Sequence, residues 1–241
     1  MNILLTGAGG AAAVSVWKSL NQEHELYMAD IDPCAAGLYL VPPARRLIIP
    51  RGNAPEFSST LLLECQKRQI ELLIPTVDTE LVPLARQAEQ FRELGIKMPI
   101  SSAETLERCR DKYTLLTYCQ NTGFTPEFNL LTPDRELATI QFPCFAKPRQ
   151  GAGSNGAMTI NHVNELEMLP KDGSYLIQEL LPGEEYSVDV YIHSSGHPMA
   201  AVPRLRMKID SGIAVAAQTR INKHWTLDCN DQIKNKDVIL C

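Results

Sequence analysis

Short apolar runs alternate with stretches of helical spacing through the first hundred residues, and no other feature of the sequence constrains the fold as much. "NILLTG" leads into "AAAVSVWKSLNQ", and "HELYMADID" reads as a second buried strand. After a Pro-rich loop, "DPCAAGLYLVPPARR", come "RLIIP" with the helix "APEFSSTLLLECQKRQ", then "IELLIPTVD" with the helix "TELVPLARQAEQFRELG". Runs this short and this apolar suit strands covered on both faces, and helices between them make the neighbours parallel. The expected start is a right-handed β-α-β unit within a doubly wound, Rossmann-like parallel sheet.

The tempo changes in "IKMPISSAETLERCRDKYTLLTYCQNTGFTPEFNLLT". Ser101 or Ser102 can cap a helix, with Glu104 completing a capping box in the first case. A second helix is expected from about Asp111 to Thr122, stopping at Gly123. Beyond it, "FPCFAKPRQ", "GAMTINHV", "YLIQELLPG" and "EYSVDVYIHSSGHPMAAVPRLRMKI" read as antiparallel hairpins joined by Gly and Pro turns. The expected organisation is an α/β domain over residues 1–105, an α+β region over 106–218 and an atypical tail over 219–241.

Composition narrows the function classes. A net charge of -5 gives no electrostatic footprint for nucleic acid. Seven scattered cysteines without a C-x-x-C pair point to reduced, packed thiols, and none of the five histidines has the i,i+4 spacing of a helical metal site. No apolar run is long enough to span a bilayer, and a strand-like start without a basic leader suggests a cytoplasmic protein. Oligomeric state is not legible.

Three stretches could carry chemistry. Gly7-Ala8-Gly9-Gly10-Ala11-Ala12 fits the dinucleotide template G-x-G-x-x-G/A, and Asp30 lies 18 residues beyond Ala12, close to the usual place of the ribose carboxylate. An NAD-dependent dehydrogenase or epimerase, with Asp30 or Asp32 in that role, is therefore one reading. In "FPCFAKPRQGAGSNGAMTI", Lys147 and Arg149 stand beside Gly151-Ala152-Gly153-Ser154-Asn155-Gly156. Backbone N–H groups of such a loop can converge on one anion, with cationic side chains alongside, which suits a polyphosphate. The pattern is not a P-loop; a flexible hairpin is the plain alternative. In "YLIQELLPGEEYSVDVY", Gln178-Glu179-Leu180-Leu181 ends an apolar strand before a Pro-Gly turn and Glu184-Glu185. Free backbone groups for a planar base, followed by a carboxylate for ribose hydroxyls, would make an adenosine site.

The order of these pieces resembles the ATP-grasp family, in particular the branch similar to carbamoyl-phosphate synthase large subunits and biotin carboxylases. The resemblance covers residues 1–218 and rests on "IPTVDTEL", "RDKYTLLTYCQNTGFTPE", "FAKPRQGAGSNGAM", "IQELLPGEEYSVDV" and "VPRLRMKIDSGIA" in succession. It implies a Rossmann-like pre-ATP-grasp domain followed by an ATP-grasp domain. Position by position, Lys112 and Lys147 resemble the family's two phosphate-contacting basic residues. Gly151, Gly153, Ser154 and Gly156 resemble its mobile glycine loop, and Gln178, Glu179 and Leu181 fall at its adenine hinge. Glu185 resembles the ribose carboxylate, with Glu184 as the alternative register. Arg206 resembles the catalytic basic residue near the acyl-phosphate site, with Arg204 as competitor. Asp78 and Glu80 either cap the following helix or face the interdomain cleft; the cap is the favoured reading.

The implied function is ATP-dependent ligation of a carboxylate-like small molecule to an amine or other nucleophile through an acyl phosphate. Magnesium bridging the phosphates belongs to this chemistry. The family pattern continues with strands supplying an acidic residue and an E-x-N-P-R-like segment that hold the metal, whereas this chain continues with "RINKHWTLDCNDQIKNKDVILC". Asp228-Cys229-Asn230 imitates D-x-N without a following Pro-Arg, a coincidental likeness. The metal ligands are therefore not identified, the ATP-grasp domain is expected to be incomplete at its C-terminal end, and the chain is expected to bind ATP while lacking a complete catalytic site.

Overall fold

The computed structural model describes residues 1–134, 139–151, 153–193, 195–210 and 212–220. The readings made on 221–241, including Asp228-Cys229-Asn230, lie outside the described residues. Two compact units divide the chain, Met1–Glu107 and Arg108–Cys241.

In the first unit, β1 (Asn2–Leu5), β2 (Glu25–Asp30), β3 (Arg46–Ile48) and β4 (Leu72–Ile74) form a sheet in the order β3-β2-β1-β4. Each pairing is parallel. Alternation along β1 explains the double winding. Ile3 and Leu5 join Leu26, Met28, Leu38 and Val41 on one face, packed against Ala13 of α1 (Ala11–Leu20). Leu4 points to the other face with Ala29, Leu47 and Leu73. There it meets Phe57, Leu61 and Cys65 of α2 (Phe57–Lys67), Leu84 of α3 (Asp78–Arg86) and Phe91 of α4 (Ala88–Glu93). Both faces are covered, as a parallel sheet requires.

Two local expectations are corrected and one alternative is decided. The single long helix after β4 is two helices, α3 and α4, with Gln87 between them at φ -110 and ψ 11. Pro83 sits inside α3 and can donate no backbone hydrogen bond there. The Pro-rich loop holds two short 3-10 turns, Ala36–Leu40 and Pro43–Arg45. At the next helix, α5 (Ala103–Arg110), the Ser102 hydroxyl accepts from the Thr105 amide at 3.2 Å, so of the two expected caps Ser102 takes the place.

The second unit holds α6 (Lys112–Cys119), which runs into a 3-10 turn ending at Gly123 in the left-handed conformation, φ 75. One antiparallel sheet has the order β5-β8-β6-β7, built from β5 (Phe128–Leu130), β6 (Cys144–Pro148), β7 (Met158–Ile160) and β8 (Tyr175–Glu179). One face packs Leu131, Cys144, Ala146, Ile160 and Ile177 against Leu166 of α7 (Val163–Glu167). β5 and α7 were not anticipated from the sequence: each spans five residues or fewer, too short for a period to stand out. A second antiparallel sheet joins β9 (Tyr186–Ile192), β10 (Pro198–Asp210) and β11 (Ile213–Thr219) in the order β11-β10-β9. Free thiols are present at Cys34, Cys65, Cys109, Cys119 and Cys144, and burial pushes the Cys65 thiol up to about 12, a packing role rather than a reactive one.

Candidate functional site: a nucleotide cradle in the second unit

β6 alternates strictly. Cys144 and Ala146 are buried against α7, which leaves Phe145 and Lys147 half-buried on the opposite face. Register continues that face across the sheet, since Phe145 lies opposite Gln178 of β8 and Gln178 lies opposite Phe128 of β5. Gln178 and Lys147 thus share one face, in adjacent cross-strand rows. Tyr113 of α6 meets Phe128 edge-on, with ring centroids 5.8 Å apart. Gln178 is only 9% exposed, and its side-chain carbonyl Oε1 is buried without a hydrogen-bond partner. A buried orphan acceptor is costly and marks a place where a ligand donor can bind. A cleft of about 260 Å³ has Gln178 in its lining with Glu127, Phe142, Glu179 and Leu180, and reaches Cys144 and Ile177 of the opposite, α7-packed face. The Glu179 carboxylate accepts from the Glu127 amide at 3.0 Å, which anchors the end of β8, and Leu181 is half-buried just past it.

The loop between β6 and β7 begins at Arg149, whose guanidinium donates to both oxygens of Asp111, from Nε at 3.2 Å and Nη2 at 2.5 Å. Asp111 is also the N-cap of α6, accepting from the amides of Tyr113 and Thr114. Burial raises the Asp111 pKa, but Arg149 and the two amides outweigh it and hold the carboxyl below its ordinary value. The positive charge that the sequence offered at Arg149 is therefore committed to a structural pair. Lys112, the first residue of α6, donates its amide to the Arg149 carbonyl at 2.9 Å and its ammonium to the Gly151 carbonyl at 3.0 Å. Burial lowers its pKa.

Past Gly151 the chain turns through left-handed conformations at Gly153 (φ 69) and Gly156 (φ 71), which glycine adopts without strain, and at Ser154 (φ 54), where a side chain is uncommon. The loop tip touches the turn between β10 and β11: a Cβ on Gly212 would lie 2.6 Å from the Gly153 carbonyl carbon and 2.7 Å from the Ser154 nitrogen. The Gly212 carbonyl accepts from Arg206 Nη2 at 2.6 Å, and Arg206 Nη1 donates to the Glu185 carboxylate. Gly153, Ser154, Arg206 and Glu185 thereby form one cluster. Arg204 is held apart by Asp189, with Nη2 to Oδ1 at 2.9 Å. Glu184 accepts from the Tyr186 hydroxyl at 2.7 Å and from Arg220 at 3.2 Å. Among the described residues no group of three or more His, Cys, Asp or Glu side chains is disposed to hold a metal ion.

In the first unit the glycine turn is closed on itself. The Ala8 amide donates to the Ala29 carbonyl at 3.0 Å, the Gly10 amide to the Gly7 carbonyl at 2.8 Å, and the Gly9 amide to Asp30 Oδ2 at 2.8 Å. Asp30 Oδ1 accepts from the Asp32 amide at 3.0 Å. Three amides of the turn are thus engaged within the first unit, that of Gly9 with the carboxylate that the spacing had offered for a ribose. Asp78 and Glu80 correct another reading. Val77 is the N-cap of α3 and offers no side-chain bond, while Glu80 is 3% exposed and accepts from the Thr6 hydroxyl at the end of β1. Burial and then the neighbouring Asp30 charge push its carboxyl up to about 7, against the Thr6 bond, which lowers it.

Residues 3–99 match a family model described as "PylC-like, N-terminal domain", and residues 109–233 match one described as "ATP-grasp domain". A D-alanine–D-alanine ligase of Thermotoga maritima is 28% identical over 120 residues, 48% of this chain and 40% of that protein. The chain thus spans well under two thirds of the curated relatives' length. Among solved structures, an L-amino acid ligase from Bacillus licheniformis superposes with a TM-score of 0.63 at 16% identity, covering 92% of this chain and 56% of that one. An N5-carboxyaminoimidazole synthetase from Staphylococcus aureus complexed with ADP gives a TM-score of 0.63 at 14% identity, covering 88% and 56%. These two likenesses show the shared fold, and the family model, which spans more than half of the sequence, shows that the chain belongs to the ATP-grasp family.

Proposed function

We propose that the second unit binds ATP, and that the protein to which these residues belong uses it to activate a carboxylate for attack by an amine. The observation that supports this most is the buried orphan carbonyl of Gln178 on the same sheet face as Lys147. An exocyclic amine of adenine is the kind of donor that satisfies such an atom, and a lysine one row away suits the phosphates. Glu179 and Leu181 would meet the base edge, and Lys112 with Gly151, Gly153, Ser154 and Gly156 the β- and γ-phosphates. Glu185 would meet the ribose, and Arg206 would stand where negative charge develops during transfer. The pairing of Glu185 with Arg206 means that a ribose hydroxyl would join or replace that contact.

Bound magnesium, when present, neutralises the phosphates during phosphoryl transfer. This chain's own task is positioning and charge neutralisation, with no covalent intermediate on the protein. The relatives' names, D-alanine–D-alanine ligase and L-amino acid ligase, favour carboxylate–amine ligation as the reaction class. ADP release from ATP with magnesium and an amino-acid panel would support the ligation class, and no release with any amino acid would count against it. A direct titration with ATP and with NADH tests the core of the reading: ATP should bind and NADH should not. Tight NADH binding without ATP binding would return the function to the glycine turn of the first unit.

A further inference from the structure

A recess of about 230 Å³ opens at the C-terminal edge of the parallel sheet, within the first unit, and the nucleotide reading does not use it. Its lining includes Asp30, Arg51, Gly52, Asn53, Thr79 and Glu80. This edge, beside the point where the order β3-β2-β1-β4 reverses, is where open α/β sheets take ligands. The walls are built closely: a Cβ on Gly52 would lie 2.9 Å from both the Glu80 backbone nitrogen and its Cγ, so the loop carrying Arg51 rests directly on Glu80. Thr6 and Thr76 fix the floor, with the Thr76 hydroxyl donating to the Thr6 carbonyl at 2.7 Å and the Thr6 hydroxyl to Glu80.

Charge selects the ligand. Two acidic residues, Asp30 and Glu80, line the recess, and none of Asp30, Glu80 and Arg51 forms an ion pair among the described residues. Phosphate is disfavoured by the two acids in the lining. A hard divalent cation is disfavoured because it requires about six oxygen ligands. The volume is below the ~300 Å³ at which drug-sized pockets begin. A protonated amine satisfies the acids, and a carboxylate on the same small molecule satisfies Arg51.

We infer that this recess binds a free amino acid, its ammonium toward Asp30 and Glu80 and its carboxylate toward Arg51. It would supply the ligase reaction with its small substrate, so the inference rests on the reading above. Besides Glu80, the titratable groups lining the recess are Asp30 and Arg51. With its pKa raised to about 7 by burial and by Asp30, Glu80 is mostly protonated at pH 6. An arriving ammonium drives that proton off.

The test is calorimetric titration of the full chain with each of the twenty L-amino acids and D-alanine, using the N-acetyl and amide forms of any that bind. Titrations at pH 6 in two buffers of different ionisation enthalpy count the protons released. At least one amino acid should bind with release of about one proton per ligand. Its N-acetyl form should bind at least tenfold more weakly, and its amide should lose affinity without depending on Arg51. Glu80→Gln, which keeps an acceptor for the Thr6 hydroxyl, should abolish the proton release and weaken binding at least tenfold. Arg51→Ala, at an exposed position, should weaken the amino acid but not its amide. Equal binding of the N-acetyl form, or unchanged binding by Glu80→Gln, overturns the inference. ATP is titrated in the same sample: ATP binding with no amino-acid binding overturns this inference alone, whereas amino-acid binding without ATP binding supports it and overturns the nucleotide reading.

Discussion

Glu80 should make the first unit less stable as pH rises through neutrality, and the size of the effect follows from its surroundings. The carboxyl is almost fully buried, one oxygen takes the Thr6 hydroxyl, and Asp30 is the nearby charge. Its folded-state pKa of about 7 stands above the ordinary value of 4.5. A group with a raised folded pKa favours the folded state fully below the unfolded pKa, and that contribution is lost as pH rises through the folded value. The separation of the two values corresponds to about 3 kcal/mol at ~1.36 kcal/mol per unit, most of it lost between roughly pH 5 and pH 7. Urea denaturation of the wild type and of Glu80→Gln from pH 4 to pH 8 measures it, followed by Trp17 fluorescence in a Trp225→Phe background. The wild type should lose about 3 kcal/mol relative to Glu80→Gln across that range. Parallel pH profiles for the two proteins would refute a protonated Glu80 in the folded state.

The cradle offers further expectations. Gly212→Ala places a Cβ against Gly153 and Ser154 at a positive φ of 74, so it should displace the loop tip and weaken ATP about tenfold or more by titration, a loss of ~1.4 kcal/mol. Gln178→Leu removes a buried orphan acceptor; its thermal or urea stability should hold or rise by about 1 kcal/mol, while ATP affinity falls. Asp111→Ala removes the α6 cap and the Arg149 pair together, and should cost about 2 kcal/mol in urea unfolding.

The sheet of the first unit was legible because alternation is a local property: Ile3 and Leu5 facing one layer and Leu4 the other follows from the pleat alone. The glycine loop after Lys147 was legible for the same reason, since the residues that shape it are consecutive. What the sequence did not carry lies between residues far apart in it. Nothing near Glu80 announces Thr6, 74 positions away, and an acid just before an apolar helix ordinarily reads as a cap. Asp30 matched the spacing of a ribose carboxylate, but only the fold shows it bonded to the Gly9 amide. Arg149 looked like a phosphate ligand until Asp111, 38 positions back, was placed against it. Gln178 was a candidate by its neighbourhood to Glu179, while its orphaned carbonyl became visible only once β5 and β6 were set on either side of β8.

One comparison bears most directly on the assignment of the nucleotide to the second unit: the ATP affinity of Lys147→Ala beside that of Gly9→Ala. A Cβ on Gly9 would have ordinary 3.5 Å contacts to Ala35 and Asp30, so that variant should fold and should bind ATP within about twofold of wild type, a change of ~0.4 kcal/mol. Lys147→Ala should abolish measurable ATP binding. Loss of binding in Gly9→Ala with retention in Lys147→Ala would contradict the account.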